Sequence, residues 1–110
     1  MIQNQEFTYI GKSTNLNGSF KFGGATHFQG QLEGDVTIEN NAKLILEIGS
    51  FTKGSLNCFD LDIYGEFKGE IQSSGLVTIY PTANFEGKIF AKSLEILPGA
   101  IVNMNGHTKE

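Results

Sequence analysis

The sequence predicts an all-β fold, and within that class a solenoid of about six stacked turns. Two observations carry the prediction. The stretch Leu61-Asp62-Ile63-Tyr64-Gly65-Glu66-Phe67-Lys68-Gly69-Glu70-Ile71 places an apolar residue or glycine at every odd position and a polar residue at every even one, Tyr64 apart. Period-two alternation of this length marks a strand with one buried face. The second observation is that the pattern recurs along the chain. Recurrence at a short period is the signature of a repeat architecture, in which each unit buries its apolar face only against its neighbours.

The copies follow one another without a linker. Residues 7–25 form the first, entering through Tyr9-Ile10-Gly11 and carrying Leu16-Asn17-Gly18-Ser19-Phe20. Residues 26–43 form the second, with Phe28, Gly30, Leu32, Gly34 and Val36 matching Ile63, Gly65, Phe67, Gly69 and Ile71; Glu39-Asn40-Asn41 reads as its turn. Residues 44–60 are a looser third copy with Phe51 and Gly54, and residues 61–75 are the fourth. Residues 76–93 form the fifth, with Val77-Thr78-Ile79-Tyr80-Pro81 and Asn84-Phe85-Glu86-Gly87-Lys88-Ile89, and residues 94–108 the sixth, with Met104-Asn105-Gly106. The second glycine of the unit falls at 18, 34, 54, 69, 87 and 106, in steps of 16, 20, 15, 18 and 19 residues. A unit of that length is too long for one strand and suits three short strands joined at corners, one full turn. Residues 8–108 are thus the β-helix domain, between tails at 1–7 and 109–110.

The alignment gives the inward columns. One is Phe28, Ile63, Ile79 and Ile96; a second is Leu16, Leu32, Phe67, Phe85 and Met104; a third is Phe20, Val36, Leu56, Ile71 and Ile89. Two residues further on come Phe22, Ile38, Cys58, Ser73 and Ala91, which makes Cys58 a small packing residue rather than a reactive thiol. On the outward parity Lys68 lies over Glu86 and Glu70 over Lys88, opposite charges on adjacent turns. Tyr64, Tyr80 and Leu97 form an outward apolar column, either a cross-turn stack or a lateral contact with another protein.

Six turns at about 4.8 Å make a rod roughly 29 Å long. Its flanks are hydrogen-bonded turn to turn, but its ends expose unpaired strand edge and an apolar cross-section. The expected end rings are Leu16, Phe20 and Phe22 on one side and Ile96, Ile101 and Met104 on the other. Neither tail is long enough for a lid, so the molecule is built to stack on copies of itself.

Composition narrows the function. A net charge of −4 with no basic run leaves no footprint for nucleic acid. No apolar run approaches the roughly 20 residues of a membrane-spanning helix, and the N-terminus lacks the shape of a secretory signal. A single cysteine forms no internal disulfide, as expected for a cytoplasmic protein. Gly23-Gly24 precedes a strand and not a helix, so no phosphate-binding loop is present. Asp60 with Asp62 and Glu33 with Asp35 resemble an acid pair but read as solvated outward faces. No cofactor, metal or catalytic residue is expected.

The repeats resemble the bactofilins, a family of bacterial cytoskeletal proteins. The residues that carry the resemblance are Ile10-Gly11-Lys12 with Leu16-Asn17-Gly18, the segments Gly30 to Val36 and Gly65 to Ile71, and Pro98-Gly99-Ala100 opening the last turn. The resemblance implies a right-handed, three-sided β-helix that polymerises end to end without nucleotide. It also implies a scaffold at the inner face of the cytoplasmic membrane that positions cell-wall enzymes and affects cell shape. Some members carry a membrane-targeting N-terminal tail; Met1-Ile2 is a reduced version, which implies weak membrane association at most.

The strongest competitor is the left-handed hexapeptide β-helix of trimeric acyltransferases and γ-type carbonic anhydrases. That fold steps by six residues, giving turns of about 18, and steps of 15 to 20 break the rule. Its metal site needs three histidines. This chain has two, His27 and His107, which would have to be shared between subunits; both read as surface histidines.

Overall fold

The computed structural model describes residues 7–104, and within them the chain forms twelve strands and no helix. The strands are β1 (Phe7–Ile10), β2 (Asn15–Phe22), β3 (Ala25–Phe28), β4 (Gln31–Ile38), β5 (Lys43–Leu46), β6 (Phe51–Cys58), β7 (Asp60–Ile63), β8 (Glu66–Ser73), β9 (Leu76–Ile79), β10 (Asn84–Phe90), β11 (Ser93–Ile96) and β12 (Ile101–Met104). Odd-numbered strands pair in the order β1-β3-β5-β7-β9-β11 and even-numbered ones in the order β2-β4-β6-β8-β10-β12. Every pairing is parallel, and each strand pairs with its counterpart one repeat away. This is a β-solenoid of about six turns.

Each of the first five turns contains two strands, one short and one long, where three separate strands were expected. The long strand of a complete turn keeps one ladder through the glycine at its midpoint. Gly34, Gly54 and Gly69 pair in register although their φ angles are +143°, +135° and +138°, a region open to glycine and strained for other residues. The chain can therefore change direction at the glycine without ending its hydrogen bonding. The ladder also continues across the corners: Phe51 N–H donates to Gly30 O at 3.0 Å, Glu66 N–H to Ser50 O at 2.9 Å and Asn84 N–H to Gly65 O at 3.0 Å. Asn40 and Asn41, at φ 64° and 53°, form the turn expected after β4.

The core follows from the parity. Phe28, Leu32, Val36, Ile63, Phe67, Ile71, Ile79, Phe85 and Ile89 are all buried, three from each of the second, fourth and fifth turns. The column Phe20-Val36-Leu56-Ile71-Ile89 is continuous in register. Phe67 and Phe85 stack with ring centroids 5.6 Å apart. Each such side chain contributes about 1.5–3 kcal/mol by leaving water. A further inward column, Thr26-Leu44-Leu61-Val77-Leu94, was not anticipated and lines the short strands.

Two registers differ from expectation. In the third turn Thr52 takes the position between Leu32 and Phe67, a hydroxyl in an otherwise apolar column, buried and without a hydrogen-bond partner among the described residues. In the sixth turn Met104 pairs with Gly87, not with Phe85; Val102 occupies the inward position over Phe85. Ile101 pairs with Asn84 on the outward parity and is 63% exposed. The cause is the preceding turn. Ala100 N–H donates to Leu97 O at 3.2 Å, as Ala83 N–H does to Tyr80 O at 2.9 Å, so Leu97-Pro98-Gly99-Ala100 repeats Tyr80-Pro81-Thr82-Ala83 and fixes the register. Met104 therefore holds the second-glycine position of this turn, where Gly106 was expected; Gly106 itself lies outside the described residues.

Candidate functional site

Among the described residues, stacking leaves a first and a last turn that each have a neighbouring turn on one side only. At the N-terminal end the first turn presents the edges of β1 and β2. Ile10, Leu16, Phe20 and Phe22 pack against the core from this turn and remain half-buried. The Phe20 and Phe22 rings lie nearly parallel, centroids 6.5 Å apart and planes 10° from one another. Tyr9, on the outward side of β1, is 59% exposed and its hydroxyl donates to Gln29 Oε1 at 2.9 Å. Leu16, Phe20 and Phe22 thus lie together on this end.

The C-terminal end presents β11 and β12. Leu94, Ala100 and Val102 pack down on the core, half-buried, and Ile96 is 43% exposed on the inward parity over Ile79. Of the three residues expected here, Ile96 lies in the ring, Ile101 faces outward beside it, and the side chain of Met104 lies outside the described residues. Sequence alignment missed Leu94 and Val102, which the shared x-Pro-x-Ala turn would have revealed.

The flank carries the outward column Tyr64, Tyr80 and Leu97. Tyr64 and Tyr80 stack face to face, centroids 4.1 Å apart and planes 8° from parallel. Hydrogen bonding with Tyr80, then burial, pushes the Tyr64 hydroxyl up to about 12. Leu97 continues the column, its N–H bonded to Ile79 O at 2.9 Å as that of Tyr80 is to Ile63 O at 2.9 Å. On the same sheet Asp62 is buried although its parity is outward. Lys43 covers it, Nζ to Oδ2 at 2.9 Å, and that bond raises the Lys43 pKa against the opposing effect of burial.

His27 lies on the outward face, Nδ1 at 2.7 Å from Glu47 Oε2, and the other histidine, His107, lies outside the described residues. Among the described residues no group of three or more His, Cys, Asp or Glu side chains is placed to hold a metal ion. Cys58 is buried in register with Ser73, and burial pushes its thiol up to about 12. Ser73 opposes that shift through a hydrogen bond with Cys58, and its hydroxyl also donates to the carbonyl of Phe59 at the adjoining corner. Lys68 and Glu70 stand in register with Glu86 and Lys88 as expected. No helix among the described residues is long and apolar enough to cross a membrane.

Parallel strands stacked turn on turn, with apolar residues at the first and last turns among the described residues, define a class of protein, the β-solenoids. The particular family follows from comparison with known proteins: the chain belongs to the bactofilin family, described as polymer-forming cytoskeletal, whose model matches residues 8–108. A comparison with curated proteins gave no match, and neither did one with solved structures. Membership supports a scaffold role and self-association.

Proposed function

We propose that the chain is a non-enzymatic bacterial scaffold that polymerises end to end, without nucleotide, through Leu16, Phe20 and Phe22 at one end and Leu94, Ile96 and Val102 at the other. The observation that carries this reading is the contrast between flank and ends. Interior residues such as Phe67 and Ile71 are 0% exposed, whereas Ile96, on the same parity in the last turn, is 43% exposed. Each end offers unpaired strand edge around an apolar cross-section, and a second copy satisfies both at once. Burying roughly 400 Å² of apolar surface per end, at about 25 cal/mol/Å², supplies on the order of 10 kcal/mol before the cost of association.

On this reading the helix is right-handed and three-sided, the long strands turning a corner at their glycines. The filament would lie at the inner face of the cytoplasmic membrane and organise cell-wall enzymes and cell shape, with the Tyr64-Tyr80-Leu97 column available for lateral contacts. The test is negative-stain microscopy of the pure protein with EDTA and without nucleotide. Filaments are expected. Discrete compact trimers would contradict the reading and favour the hexapeptide class.

A further inference from the structure

Surface charge is divided unevenly around the solenoid. From the third turn to the sixth, the long strands β6, β8, β10 and β12 carry Lys53, Lys68 and Lys88 against Glu66, Glu70 and Glu86. These cancel, and Lys68 with Glu86 and Glu70 with Lys88 do so in register on adjacent turns. Over the same turns the short strands β5, β7, β9 and β11, with the corners that follow them, carry Glu47, Asp60, Asp62 and Glu95 against Lys43 alone. Lys43 is bonded to Asp62, and Glu47 lies against His27 of the second turn. Lys92 stands at the opposite corner, before β11. The short-strand flank is therefore acidic while the long-strand surface is balanced.

An apolar stripe runs along the edge of this flank. Ile48 in the third turn, 59% exposed, the stacked Tyr64 and Tyr80, and Leu97 in the sixth turn follow one another along the corner after the short strands. Pro81 and Pro98 stand exposed beside Tyr80 and Leu97, and a Cβ added to Gly99 would meet the Pro81 Cβ at 3.1 Å. Proline has no N–H to give a partner strand, so this corner is read through its side chains. After Tyr80 and burial, the charges of Asp62 and Glu47 help raise the Tyr64 hydroxyl, so their field reaches the stripe.

Charge decides what covers the stripe. A second copy meeting it through a two-fold axis would set these carboxylates against themselves, and the balanced long-strand surface has no excess of positive charge to offer. Nucleic acid and an anionic lipid surface are repelled in the same way. Lysine and arginine side chains are attracted, stack on tyrosine rings and bury their aliphatic stems on neighbours such as Ile48 and Leu97. The stripe crosses four turns, about 14 Å, which an extended segment of about four residues spans.

We propose that this flank docks a short basic segment of a different protein, arginine or lysine alternating with apolar residues, seated on Ile48, Tyr64, Tyr80 and Leu97. Calling that partner a client rests on the scaffold reading; the binding itself does not.

The test is fluorescence anisotropy of a labelled peptide of alternating arginine and leucine added to the full chain, with a glutamate–leucine peptide as control. The basic peptide is expected to bind and the acidic one not to. Tyr80→Ala is expected to weaken binding about tenfold, and Tyr80→Phe, which keeps the ring, less than about twofold. Asp60→Asn with Glu95→Gln is expected to cost about tenfold, and Glu70→Gln with Glu86→Gln, the same change in net charge, less than about twofold. The amide put in place of Asp60 keeps an oxygen for the Leu76 N–H. Equal losses from the two charge pairs, unchanged binding in Tyr80→Ala, or binding of neither peptide would overturn the proposal. Filaments that pair side by side until Tyr80→Ala separates them would give the stripe to a second copy and overturn it too. Peptide binding by a chain that never forms filaments would keep the docking surface and remove the end-to-end reading; filaments that bind no peptide would do the reverse.

Discussion

Gly54 stacks so closely on Gly34 that a Cβ added to Gly54 would overlap the Gly34 carbonyl oxygen on the preceding turn. The same overlap would arise between Gly69 and Gly54 and between Gly87 and Gly69. Gly18 is different: it shares the left-handed φ, +131°, but belongs to the first turn and has nothing within 4 Å of the Cβ position. Backbone strain therefore acts at both sites and stacking only at Gly54. Gly54→Ala is expected to cost about 3 kcal/mol or more and to lower the melting temperature by on the order of 10 °C or more, and Gly18→Ala about half as much. Thermal unfolding followed by circular dichroism measures both. Equal losses would mean that turn-to-turn stacking is not what requires glycine.

Parity makes the second prediction. Phe67 and Phe85 are 0% exposed, while Glu66 faces outward in register with Asn84. Phe67→Asp or Phe85→Asp places an unpaired carboxylate in the core, at a cost of several kcal/mol against a total stability of roughly 5–15. These variants are expected to yield little soluble folded protein, and Glu66→Lys to fold normally. Comparable loss in the two classes, measured as soluble yield and strand content, would place the register one residue out.

The columns that alternation reveals are those whose members are large and apolar in successive repeats. Phe20, Val36, Leu56, Ile71 and Ile89 lie two residues beyond a glycine in each of five turns, and the sequence alone aligns them. Thr52 hid the third repeat, because a hydroxyl broke the column containing Leu32 and Phe67. Ile48 is as apolar as its neighbours yet 59% exposed, since it sits in the turn after β5. Asp62 is legible as outward but not as buried; it stands between Ile45 and Thr78 on adjacent turns and pairs with Lys43, contacts that a period-two pattern does not register. In the sixth repeat Gly106 is a poor anchor and the Leu97-Pro98-Gly99-Ala100 turn a good one, which is why Met104 and Ile101 fall elsewhere than the glycine spacing predicts. The ends as a feature were legible; their exact residues depended on that last turn.

Alkaline pH is expected to weaken the fold. Burial raises the Cys58 thiol from 9.0 to about 12, the bond with Tyr80 raises the Tyr64 hydroxyl from 10.0 to about 12, and Asp62 raises Lys43 above 10.5. All three hold their protons more tightly folded than unfolded. Their contribution is complete below about pH 9 and is lost as pH rises through the folded values. Urea midpoints should match at pH 7 and pH 8 and fall clearly at pH 11. An unchanged midpoint at pH 11 would show that the three sites are not held as described.

End-to-end assembly is tested most directly by light scattering from two end variants. Phe22→Arg places a charge in the N-terminal ring, and Ile96→Arg places one in the C-terminal ring, each leaving the interior turns packed. A filament grows only if both ends are competent. With strand content unchanged by circular dichroism, the wild-type chain is expected to scatter as long polymer and each variant as nothing larger than a dimer. Long filaments persisting in both folded variants would contradict end-to-end assembly and move the contact to the flank at Tyr64, Tyr80 and Leu97.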